Sequence, residues 1–393
     1  MTTAGIFKVM AAALAWSALS CGETEHNDAP TLPVQSRSGS GGQAATAGSG
    51  ATLGGEAAAG AGAAGGAGSS AGSGGSAASP SLIDVPVEQI VKSSGCGKPF
   101  FGQSTPAVQT IQTMGTKDPD CAARIGGSPL CGPWTATREY YVFMPQNYDP
   151  EKPYPLVLQA PGCGGNGYSV PSLNNNVDNS VIRVGITPGP NSLGHGTNPD
   201  QGCFDDHEGD DSIDWVLYEQ LYDKLDAELC FDRHRVFAGG YGSGGWLANE
   251  LGCKYAGDPQ RPIRGVFPNY GALPTDPRYV PTCSKAPLAG FWIHEATSQV
   301  NPFENAQVPI ERAMAVDHCD AGTSYDSAPS EDFPIGGGQN PGLCKRLSDC
   351  DPLYPLVVCA LPNVTRSSNE NIVNPGWSTF LELFESPPLV APQ

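Results

Sequence analysis

The residues best placed to do chemistry lie in one stretch, Arg233 to Cys253, which reads R-H-R-V-F-A-G-G-Y-G-S-G-G-W-L-A-N-E-L-G-C. Val236, Phe237 and Ala238 form a short apolar run of buried-strand type, Gly239 to Gly245 is a glycine-dense turn, and Trp246 to Leu251 opens a helix. Strand, tight turn and helix form the setting in which G-x-S-x-G lifts a serine onto a strained backbone for attack on an acyl carbon. Register decides whether that chemistry is present. Centred on Gly242 the motif is G-Y-G-S-G, with Gly240 and Gly244 where packed backbone leaves no room for a Cβ. Centred on Ser243 it is Y-G-S-G-G, which puts Tyr241 at one of those small positions. The first register is favoured, and it leaves the nucleophile position at Gly242 without an Oγ. Ser243 is the fallback nucleophile.

The string R-V-F-A-G-G-Y-x-S-G-G-W resembles the elbow of secreted polyhydroxybutyrate depolymerase and feruloyl esterase-like α/β-hydrolases, whose pattern has serine where this chain has Gly242. The resemblance runs from about Cys96 to Phe384 and implies a mostly parallel central sheet with helices on both faces. It also implies three further site positions. After Pro155 to Ala160 the family has H-G-C or H-G-G, whose backbone N–H groups help bind an oxyanion; here Pro161 replaces the histidine, while Gly162 and Cys163 match. The N–H groups of Cys163 and Ser243 are thus a candidate anion-binding pair. The family acid follows a later strand as H-G-x-x-D-x-x-x-P; here His294 and Pro302 match but Ser298 stands at the acid position, with Glu295 three residues away. A neutral hydroxyl does not stabilise an imidazolium as a carboxylate does. The family histidine belongs in the loop Leu361 to Glu370, which holds none, and no histidine follows His318. All three triad positions are vacated together. His294 reads as a strand-end residue that orders its loop, with a Ser243–His294 dyad as the sharper alternative.

The elements that must position these groups alternate as in an α/β sheet. Strands are expected at Tyr140–Met144, Tyr154–Ala160, Val181–Ile186, Val236–Ala238, Gly265–Phe267, Leu288–His294 and Leu356–Ala360, and a closing helix at Asn374–Glu385. Ile213, Leu217, Leu221, Leu225 and Leu229 recur every four residues, so Ser212 to Leu229 is an amphipathic helix. The acidic run Asp205 to Asp214 lacks the EF-hand spacing; Asp210, Asp211 and Asp214 instead suit a helix start, where the dipole favours negative charge.

Composition narrows the partners. The net charge of −19 repels nucleic acid and anionic lipid, and no basic patch offsets it. Residues 1–21 read as an export signal, with Lys8, an apolar core Val9 to Ala18, and Ala18-Leu19-Ser20-Cys21 resembling a bacterial lipobox. That resemblance implies lipid on Cys21 and, with Gly22 next, an outer-membrane lipoprotein; an ordinary cleaved signal peptide is the plainer alternative. Residues 22–82 are Gly/Ala/Ser-rich and read as a disordered tether with a span of roughly 40–45 Å. Residues 83–393 make the domain. Setting Cys21 aside leaves 12 of the 13 cysteines, an even number that suggests as many as six disulfides, and no spacing fits a zinc site.

These observations lead to an exported α/β-hydrolase-like domain of carboxylic-ester hydrolase lineage, catalytically degenerate, which binds a small-molecule or polymer ester-type ligand. An active esterase using Ser243 and a structural envelope lipoprotein are the alternatives. No cofactor, metal or nucleic-acid partner is expected, and membrane contact only through the N-terminal lipid.

Overall fold

The computed structural model describes residues 88–100, 106, 108–116, 133–173, 175–189, 202–204, 213–273, 281–297, 301–319, 324–335, 342–362 and 370–384. The signal-like segment with Cys21, the tether, most of the acidic run, Ser298 and the loop 363–369 lie outside them.

Ten strands form one sheet: β1 (Val108–Thr116), β2 (Pro133–Phe143), β3 (Tyr154–Ala160), β4 (Ile182–Ile186), β5 (Phe231–Tyr241), β6 (Gly265–Asn269), β7 (Ala289–Glu295), β8 (Ser330–Asp332), β9 (Cys344–Leu347) and β10 (Leu356–Leu361). Their order is β1-β2-β4-β3-β5-β6-β7-β10-β9-β8. The run from β4 through β3, β5, β6 and β7 to β10 is parallel, and antiparallel pairs close both edges. Strands buried on both faces are near-continuous apolar runs. Ile182–Ile186 and Gly265–Asn269 are accordingly buried at every position.

The helices are α1 (Asn175–Asp178), α2 (Ile213–Glu228), α3 (Ser243–Tyr255), α4 (Phe303–Val316) and α5 (Glu370–Glu382). They cover both faces. Leu217, Leu221, Leu247, Leu251 and Ile310 of α2, α3 and α4 pack with Leu158, Val236 and Val266 on one face. Val177 of α1 and Trp377 and Phe380 of α5 pack with Val157, Phe237 and Phe267 on the other. Strand order reverses between β3 and β5, with β4 to one side and β6 to the other, and the carboxyl ends at such a switch point form the ligand crevice of open α/β sheets.

Several boundaries differ from the sequence reading. β5 starts at Phe231 rather than Val236, because the polar residues Asp232 and His234 are buried with partners. The Asp232 carboxylate accepts from the N–H groups of Val91 and His234, and the His234 ring bonds the Gln89 carbonyl. The closing helix spans Glu370–Glu382 rather than Asn374–Glu385, with Pro375 inside it. Asp214 does sit in the first turn of α2, but it is buried in an ion pair with Arg138 at 2.7 Å, so a side chain read as dipole complement is part of the core. Five disulfides join described cysteines: Cys96–Cys230, Cys163–Cys203, Cys253–Cys283, Cys319–Cys350 and Cys344–Cys359. Cys121 and Cys131 lie outside the described residues.

Candidate functional site

β5 ends at Tyr241 and α3 starts at Ser243, so Gly242 alone makes the turn, with φ 54° and ψ −120°. That backbone disfavours any side chain. It is held from both directions: the Gly242 N–H donates to the Asn269 carbonyl at 3.0 Å, and its own carbonyl accepts from the N–H groups of Gly245 and Trp246. A Cβ on Gly240 would collide with the Gly244 carbonyl, and one on Gly244 with the Ala160 carbonyl. Among the described residues, a Cβ on Gly242 would meet only the Gly162 Cα, at 3.7 Å. The strained turn and both tight positions therefore fall on the register centred on Gly242.

Ser243 is the first residue of α3; its side chain is buried, and the hydroxyl has no hydrogen-bond partner. The neighbouring loop follows β3. Its Gly162 carbonyl accepts from the Gly165 N–H at 3.0 Å, the Gly164 N–H donates to the Gly202 carbonyl at 2.8 Å, and Cys163 is disulfide-bonded to Cys203. The N–H groups of Cys163 and Ser243, on two loops that meet at Gly162 and Gly242, donate to no described backbone carbonyl.

His294 is the penultimate residue of β7, 1% exposed, between the rings of Tyr270 and Phe303 at 5.3 and 5.8 Å. Its Nδ1 donates to the Glu295 carbonyl at 3.0 Å. No hydrogen bond joins His294 to the Ser243 hydroxyl. The structure does not assemble that dyad. Glu295 is half-buried at the end of β7, and its carboxylate accepts from the Thr297 hydroxyl.

Two residues by the turn were not singled out from sequence. Asn269, at the carboxyl end of β6, is buried and its Oδ1 has no hydrogen-bond partner. Tyr270 follows with φ 56°, its carbonyl fixed by the Asn301 amide at 2.9 Å and its ring edge-on to Tyr241 at 5.9 Å. The sequence signal for both is the polar-aromatic-glycine string N-Y-G after an apolar strand. Among the described residues no group of three or more His, Cys, Asp or Glu side chains could hold a metal ion.

A parallel sheet in this order, with a strained glycine turn leading from β5 into a helix packed on β3 and β6, defines the α/β-hydrolase fold. No protein-family model matches the chain. It is 31% identical over 181 residues to feruloyl esterase C of Emericella nidulans, a match covering 42% of this chain and 57% of the relative. To a probable feruloyl esterase C of Aspergillus niger it is 26% identical over 193 residues, covering 46% and 63%. The chain spans between 50% and 63% of the length of the curated relatives it matches. Among solved structures, acetyl xylan esterase from Aspergillus awamori aligns over 70% of this chain and 99% of its own at 12% identity and a TM-score of 0.46. The chain has the α/β-hydrolase fold, and over the matched residues its sequence is similar to feruloyl esterases.

Proposed function

We propose that this protein is an exported, catalytically degenerate member of its esterase lineage, which binds an ester- or acid-type ligand at the β5–α3 turn without hydrolysing it. One observation carries the reading: glycine holds the strained elbow position, so the backbone machinery stands without the Oγ that would attack an acyl carbon. The adjacent Ser243 hydroxyl supports it, since a serine with no hydrogen-bonded base is a weak nucleophile. The names of the relatives suggest acyl groups of the feruloyl kind as ligands. Export is supported by the signal-like residues 1–21 and by five disulfides, which persist in oxidising compartments. Anchoring through lipid on Cys21 belongs to the same proposal.

Turnover of p-nitrophenyl butyrate by the purified chain tests it. The expected result is at most a slow residual rate, because sites stripped of their triad can retain roughly 10³–10⁴-fold catalysis over water. A kcat of about 1 s⁻¹ or more, an ordinary enzyme rate, would make the protein an active esterase.

A further inference from the structure

We infer that the vacated turn is a receptor for a carboxylate anion, the free acid rather than its ester. This rests on the non-hydrolytic reading above and names the ligand class for it. With serine at the elbow, the Oγ would fill the space over the turn. With Gly242 there, a Cβ would meet, among the described residues, only the Gly162 Cα at 3.7 Å, which leaves room beside them for an oxygen of the ligand. A carboxylate has two oxygens to place. One suits the N–H groups of Cys163 and Ser243, which are committed to no described carbonyl; Ser243 begins the 13-residue helix α3, whose dipole favours negative charge. The other suits the volume over Gly242. The Ser243 hydroxyl belongs to the same turn, is 8% exposed and has no partner. A buried hydroxyl without a partner costs stability unless a ligand completes its hydrogen bond. Hydrogen bonds to an ionised acceptor are roughly twice as strong as those to a neutral one. The same donors therefore prefer a carboxylate to an uncharged ester or amide of equal size.

The experiment titrates isotope-labelled full chain with butyrate and, separately, with butyramide, its neutral isostere, following the backbone amide resonances of Cys163, Gly242 and Ser243. The expected result is saturable shifts with butyrate and an affinity about tenfold or more above that for butyramide. Ser243→Ala should weaken butyrate binding by about threefold to tenfold while its thermal midpoint stays the same or rises, since the change removes an unsatisfied buried group. Gly242→Ser, which refills the space, should also weaken it. Equal affinities for the two probes, no shift at these amides, or unchanged butyrate binding in Ser243→Ala would overturn the inference. Methyl butyrate followed in parallel separates the two levels. Ser243-dependent hydrolysis would remove the non-hydrolytic reading, whereas no hydrolysis with no preference for butyrate would remove the carboxylate receptor alone.

Discussion

At the carboxyl ends of β3 and β5 the chain is held by backbone. Gly242 is pinned through its own N–H and carbonyl, and Gly240, Gly244 and Ala160 stack main chain on main chain. At the amino ends of the same strands, side chains do the holding. Cys96 is bridged to Cys230, the Ser93 hydroxyl donates to the Leu229 carbonyl and accepts from the Phe231 N–H, and Asp232 ties Val91 to Arg235. The start of β7 follows the same pattern, its Leu288 N–H donating to the buried Asp317 carboxyl at 2.9 Å. A site built from main chain keeps its shape when its reactive side chains are exchanged. An end built from side chains does not. Loss of the nucleophile at Gly242 is thus compatible with an intact elbow, because no hydrogen bond of the turn depends on what residue 242 carries.

The contrast is broken most severely at Gly244. Gly244→Ala drives a Cβ into the main chain of Ala160 and Pro161, and neither can retreat as a flexible side chain would. A loss of about 3 kcal/mol or more is expected from the denaturant midpoint. Gly242→Ala, whose Cβ meets no described atom closer than 3.7 Å and which is strained by the positive φ, should lose about 1–2 kcal/mol. Equal losses at the two positions would contradict a turn shaped by backbone contact.

The opposite end predicts a pH-dependent effect. Burial pushes the Asp317 carboxyl up to about 8, opposed by the Leu288 N–H, raised further by Asp351, and lowered by Arg264 and Arg312. The folded chain therefore holds a proton that the unfolded chain releases near pH 4. The stabilisation is complete below about pH 4, declines as pH rises, and is gone above about pH 8. Asp317→Asn keeps the acceptor for Leu288 without the charge. It should flatten this part of the pH profile and exceed the parent at pH 9 by a few kcal/mol (order of magnitude), read from denaturant midpoints. Parallel profiles for the two proteins would remove Asp317 from the account.

The distinction between backbone and side chain also explains what the sequence revealed. The elbow register was legible because glycine is a direct record of backbone crowding, and G-Y-G-S-G permits only one centre with small residues on both sides. The central strands were legible as apolar runs. The edge strand β1 was not, because V-Q-T-I-Q-T-M-G-T is mostly polar and only Thr113 is fully buried among its residues with described side chains. The start of β5 was missed because Asp232 is stabilised by Val91, 141 residues away, and the role of Asp214 because its partner Arg138 is 76 residues away. Local patterns carry no trace of such pairs. Pro375 misplaced the start of the closing helix, since proline marks a first turn more often than an interior. Asn269 and Tyr270 escaped notice because an orphaned amide and a strained φ are properties of packing.

Reaction of the native chain with a fluorophosphonate, followed by intact mass and peptide mapping, tests the central claim most directly. The reagent needs an activated serine hydroxyl, and it reports on Ser243 whatever the acyl specificity of the crevice. The account predicts no stoichiometric adduct, because Gly242 offers no hydroxyl and the Ser243 hydroxyl has no hydrogen-bonded base. A stoichiometric adduct on Ser243 would contradict it.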